Sequence, residues 1–195
     1  MDDLMEKTIF YFDKLSKANT DKTIELAKKR AKELGIKDVL VASIHGSTAL
    51  KATKAFKGTG ANVVAVAICG GFAEEGWVMS AGEKKSLEKT GAKVLTCPHT
   101  LGGGIEEAFG DKTGVRAIAA NVLYAFSQGM KVCLEIAMMA TDAGLVDAKR
   151  DVIAIAGTGA GADTCIVVKP SYSRNFFDLK VKEIVAMPSV LKRWD

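Results

Sequence analysis

Val39-Leu40-Val41-Ala42-Ser43-Ile44 runs through His45-Gly46-Ser47 into Thr48-Ala49-Leu50, and this stretch decides the fold. Its first six residues are nearly all apolar and rich in β-branched side chains, as expected of a strand covered on both faces. Gly46 breaks the run, and a helix is predicted from about residue 48 to Phe56. The same unit recurs. Val63-Val64-Ala65-Val66-Ala67-Ile68 reads as a second buried strand, followed by a Gly-rich loop with Phe72 and Trp77. Ser80-Ala81-Gly82-Glu83 has capping-box spacing and opens a helix that ends before Gly91. Residues 93–97 form a third strand, stopped by Pro98. Three buried strands alternating with helices predict a parallel sheet with right-handed crossovers.

Upstream, residues 1–19 read as an N-terminal arm with an apolar patch, Ile9-Phe10-Tyr11-Phe12. Asn19 or Thr20 is expected to cap a helix that reaches Leu34, and Gly35 to end it in a left-handed conformation. Downstream, residues 105–144 read as helical: a turn at 105–109, then helices at 115–126 and 131–143. Residues 151–156 return as a fourth strand, and 157–163 make a tight Gly-rich loop. Residues 164–169 are strand-like with no room for a crossover helix, so they must pair antiparallel or lie at an edge. Residues 181–187 give a last strand. With no linker or short repeat, residues 1–195 read as one α/β domain.

Composition narrows the function. The chain is 48% hydrophobic and 26% charged, an ordinary globular balance. Its net charge of +4 comes from 27 basic and 23 acidic residues, spread rather than clustered. Nucleic acid is therefore not an expected partner. The longest uncharged stretch, residues 58–73, is broken by Gly, Thr and Asn, so no membrane span is expected. Met1-Asp2-Asp3 lacks the basic start of a secretory signal. Cys69, Cys97, Cys133 and Cys165 form no CxxC pair, so a reducing cytoplasm is the expected location.

Two loops stand out. In Ser43-Ile44-His45-Gly46-Ser47-Thr48-Ala49, the amides of a helix's first turn point at whatever lies beyond the strand, and the helix dipole favours an anion. Ser47 or Thr48 would otherwise serve only as a helix cap. Gly157-Thr158-Gly159-Ala160-Gly161-Ala162 matches the dinucleotide fingerprint, but Thr164-Cys165-Ile166 begins a strand where the fingerprint needs a helix. A turn of exposed amides remains, able to cradle phosphate or simply to join two strands. If strands one and four are neighbours, both loops lie at the switch point where open α/β sheets bind ligands. His45, Cys69, Cys97 and His99 fall near strand ends but match no zinc spacing, so no metal is expected. Glu135, Met138, Met139 and Asp142 read as a mixed helix face with methionines in the core. No catalytic triad, nucleophile elbow or P-loop lysine is present.

The stretch 41–49 resembles the strand–loop–helix of the pyruvate kinase C-terminal domain, whose loop holds the phosphate of a sugar phosphate. The chain resembles still more closely a family of free-standing, mostly archaeal proteins of that fold. Tyr11-Phe12, Asn19-Thr20, Gly71-Phe72, Gln128-Gly129-Met130-Lys131-Val132, Met139-Ala140-Thr141-Asp142-Ala143-Gly144 and residues 157–164 carry that likeness. It implies a three-layer α/β/α domain with strand order 3-2-1-4-5 and an antiparallel last strand. It does not imply pyruvate kinase activity, which belongs to a barrel that 195 residues are too few to contain. It implies a phosphorylated small-molecule ligand, with flavin mononucleotide (FMN) as the suspected cofactor. The candidate cofactor-binding set is Ser43, His45, Gly46, Ser47, Thr48, Ala49, Gly71, Phe72, His99, Gly157, Thr158, Gly159, Ala160, Gly161, Asp163 and Thr164. The family's kinase loop often carries a basic residue beside its glycine. His45 and Ser47 stand there instead, so charge is expected from the helix dipole, His45 or a distant lysine. One alternative is a regulatory or scaffold module acting by protein contact, homo-oligomer included; another is a metal or thiol enzyme.

Overall fold

The computed structural model describes residues 5–110 and 113–190, so the first four residues of the expected arm lie outside it. The buried runs form the sheet's centre. Strands β2 (Asp38–Ala42), β3 (Asn62–Ala67), β4 (Lys93–Thr96) and β5 (Val152–Ala156) run parallel in the order β4-β3-β2-β5. Strand β6 (Thr164–Lys169) pairs antiparallel with β5, as its short connection requires. The expected order 3-2-1-4-5 is thus present, inside a larger seven-stranded sheet.

Two strands extend it. Strand β7 (Lys180–Pro188) pairs antiparallel with β6, and β1 (Phe10–Phe12) pairs parallel with β7. The final strand in the chain therefore runs with the parallel set, and only β6 opposes it. The N-terminal arm is not merely an appendage, because it supplies an edge strand. Glu183 ties it down, accepting from Lys7 and, in a two-point contact of 2.6 and 2.8 Å, from Arg30.

Alternation along β2 explains the layers. Val39 and Val41 face helices α1 (Asn19–Leu34) and α2 (Ser47–Phe56), while Leu40 faces helix α6 (Gln128–Asp142). All three side chains are fully buried, each contributing about 1.5–3 kcal/mol. Helices α3 (Ala81–Glu88), α4 (Ile105–Ala108) and α5 (Val115–Tyr124) complete the set. The expected capping box opens α3, with Ser80 and Glu83 bonding each other's backbone amides.

Helix starts were the weaker expectations. Neither Asn19 nor Thr20 caps α1: Ala18 stands at that position, and Thr20 Oγ1 instead accepts from Ala162 N–H at 3.0 Å. Helix α6 begins three residues earlier than expected, at Gln128, because Ser127 Oγ accepts from Met130 N–H at 2.9 Å.

Candidate functional site

Because β2 and β5 are neighbours, the loops that follow them open onto one cleft. Its volume is about 1370 Å³, above the roughly 300–1,000 Å³ of most ligand clefts. Ser43, His45, Ser47 and Thr48 line it from the first loop, and Gly157, Gly159, Ala160 and Gly161 from the second. Phe72 and His99 reach it from the loops after β3 and β4.

The first loop is shaped for donation. Gly46, at φ +84°, is the residue before α2, and no side chain caps the helix. Neither Ser47 nor Thr48 is spent on capping. Among the described residues, no acceptor is bonded to the first-turn amides of Ser47 and Thr48. Ala49 N–H has a long bond of 3.4 Å to Ser43 Oγ, and Leu50 N–H begins the helical ladder on Gly46. His45 Nδ1 lies 3.4 Å from Glu83 Oε1. Hydrogen bonds from Ser80 and the neighbouring His45 hold the Glu83 carboxyl below its ordinary range, so it stays anionic there.

The second loop is held from behind. Asp163 Oδ2 accepts from Thr158 N–H at 2.9 Å, and its Oδ1 accepts from Thr164 Oγ1 at 2.7 Å. A methyl on Gly157 would stand 2.3 Å from Gly161 O, and one on Gly161 2.4 Å from Thr20 Oγ1. These two glycines are what allow the turn to close and to rest on α1. The Thr158 hydroxyl is buried with no partner among the described residues.

Gly46, Ala49, Gly71, Thr158, Asp163 and Thr164 do not line the cleft. Ala49 packs in the core, and Asp163 and Thr164 are buried supports for the loop. Gly71 lies in the short turn Gly70–Phe72. Phe72 stacks on His99 at 5.3 Å and on Trp77 at 6.2 Å between centroids. Burial pushes the His99 pKa below its ordinary value of 6.5, with Glu135 and Lys131 acting on it in opposite senses.

Several lining residues were not in the expected set. Lys17 and Lys51 line the cleft together with the two loops. Lys51 Nζ is 2.8 Å from Asp21 Oδ1 at an exposed position. From α6 come Gln128, Lys131, Glu135 and Met139. Glu135, read as part of a mixed face, is 3% exposed and paired with Lys131. An isolated lysine carries no sequence signal, and charged residues four apart read as an ordinary solvent-facing helix pair.

Among the described residues, no three His, Cys, Asp or Glu side chains cluster to hold a metal ion. Burial raises the Cys97, Cys133 and Cys165 thiols above their ordinary range, which disfavours the reactive thiolate. No helix among the described residues is long and apolar enough to cross a membrane.

A family model described as pyruvate kinase, alpha/beta domain, matches residues 21–168, from α1 into β6. Among solved structures the chain is similar to a pyruvate kinase from Cryptosporidium parvum, at 12% identity and a TM-score of 0.42. That match covers 82% of this chain and 24% of the other, so the chain spans about a quarter of that protein's length.

Proposed function

This chain belongs to the pyruvate kinase alpha/beta domain family, and from that premise we propose that it binds a phosphorylated small molecule, specifically FMN, in the cleft beyond β2 and β5. One observation carries the proposal: two amide-rich loops more than a hundred residues apart line the same cleft, and among the described residues the Ser47 and Thr48 amides of the first have no bonded acceptor. A phosphate there would accept from the Ser47 and Thr48 amides and hydroxyls at the positive end of α2. The Gly159 and Gly161 backbone would face it from the other side, and Lys17 and Lys51 would balance its charge.

The residues fit FMN. The cleft volume exceeds what such a ligand needs, the loops suit a monophosphate, and the Phe72–Trp77–His99 stack offers a flat apolar face. Phe72 already stacks on both Trp77 and His99, so a flavin ring would lie on an outer face of the stack rather than between them. Bound flavin supplies an electron-accepting ring, while the chain's own residues bind, orient and shield it.

The test is titration of the protein with FMN, followed by flavin fluorescence, in the natural chain and in Ser47→Ala/Thr48→Ala. Each hydroxyl bonded to a charged group is worth about 1.5–3 kcal/mol, so the double variant should bind at least about a hundredfold more weakly. Unchanged affinity would refute the site. Binding of ribose 5-phosphate without FMN would keep the phosphate site and remove the flavin.

A second reading, a module acting by protein contact, has its own observation. Val115, Ile118 and Val122 expose 84%, 56% and 62% of their surface along one side of α5, and Ile105 and Phe109 of the preceding segment are exposed as well. Sedimentation as a monomer at all concentrations would remove its self-association form.

A further inference from the structure

Two charged side chains that line the cleft are buried. Lys131 is 6% exposed and Glu135 3%, one turn apart on α6, with Nζ 2.6 Å from Oε2. Both Glu135 oxygens are engaged: the other one accepts from Leu101 N–H at 2.8 Å. The Lys131 donors are not all engaged. An ammonium has three donors, and among the described residues Glu135 is the only acceptor bonded to it. Both side chains line the cleft. A buried ion pair adds little stability over apolar residues of the same size, so stability does not account for its presence. The loop carrying His99 lies against it, since a methyl on Gly102 would stand 3.5 Å from Lys131 Nζ. The pair is therefore beside the aromatic stack.

We propose that Lys131, held by Glu135, is a ring-recognition residue: it donates to a carbonyl oxygen of a planar heterocycle that lies against the Phe72–Trp77–His99 stack. This rests on the phosphate-ligand reading and adds the class of the ligand's other end. Charge selects a carbonyl over a second anion. The Lys131–Glu135 pair is already neutral as a unit and desolvated, so a further full charge would lack compensation there. A neutral acceptor satisfies the remaining ammonium donors without adding charge.

The test compares two ligands, FMN and ribose 5-phosphate, which share a phosphate and differ in the ring. Affinities are measured by calorimetry in the natural chain, in Lys131→Met/Glu135→Gln and in Trp77→Ala. The double variant removes the charge pair without leaving an unpaired buried ion. Trp77, 47% exposed, is replaceable without a buried cavity and keeps the test valid if the double variant does not fold. Both variants should weaken FMN by about tenfold or more and leave ribose 5-phosphate within about twofold. Equal weakening of both ligands, or of neither, overturns the ring subsite while the phosphate reading stands. A natural chain that binds ribose 5-phosphate but not FMN overturns it too. Binding of neither ligand overturns the phosphate reading and this proposal together.

Discussion

Gly129→Ala puts the packing behind the second loop under direct load. Gly129 lies in the first turn of α6, and a methyl there would stand 2.1 Å from Thr164 Oγ1, 2.6 Å from Thr164 Cβ and 3.0 Å from Asp163 Oδ1. Thr164 has nowhere to go. It is fully buried, donates to Asp163 at 2.7 Å and lies 3.4 Å from Ser127 Oγ. Relieving the clash must shift α6 or break the Thr164–Asp163 bond. Overpacking costs about 1–3 kcal/mol and loss of a buried hydrogen bond about 1–3 more. The gain from Ala over Gly in a helix offsets up to about 1 kcal/mol. A net loss of about 3 kcal/mol follows, or about 6–12 °C in Tm for a chain of this size. Calorimetric unfolding measures it. A Tm equal to or above that of the natural chain would refute the close approach of α6 to Thr164. Because Asp163 also holds the Thr158 amide, the variant should weaken phosphate binding as well.

Gly82→Ala is the converse case: a methyl there meets nothing within 4 Å, inside α3. It should stabilise by about 0.4–1 kcal/mol, read as a Tm rise of about 1–4 °C, and a fall would contradict the open surface drawn for α3. His99 gives a pH prediction. Its folded pKa lies below 6.5, so between the two values the unfolded chain binds more protons. Its contribution to stability is therefore full above about pH 6.5 and declines as pH falls below that value. The stability difference between the natural chain and His99→Asn should change across that interval, and a difference constant with pH would contradict the partly buried imidazole whose protonation burial disfavours.

The parts of the fold legible in the sequence were those fixed by local composition. Val39 to Val41, Val63 to Val66 and Ile153 to Ile155 could be read as central strands because both faces are covered, and the short 157–163 connection forced β6 to turn back. The β1 edge strand was not legible, because three aromatic residues gain a register only from β7 and from the Glu183 contacts of Lys7 and Arg30. Thr20 resembled a cap for the same reason that it is not one: its hydroxyl is committed to Ala162 across the structure. In the cleft, the loop residues announced themselves by glycine and hydroxyl spacing. Lys17 and Lys51 did not, since only tertiary contact brings the segment before α1 and the helix α2 to the same cleft as the second loop. Lys131 and Glu135 were masked by the surface-like look of a charged pair four residues apart on a helix that is in fact covered on nearly every side.

The most direct test of the two-loop phosphate cradle is an amide chemical-shift titration of the isotope-labelled chain with ribose 5-phosphate. The account predicts that the amides of Ser47, Thr48, Gly159 and Gly161 move together along one binding curve. Shifts confined to one loop, or two curves of different midpoint, would contradict it.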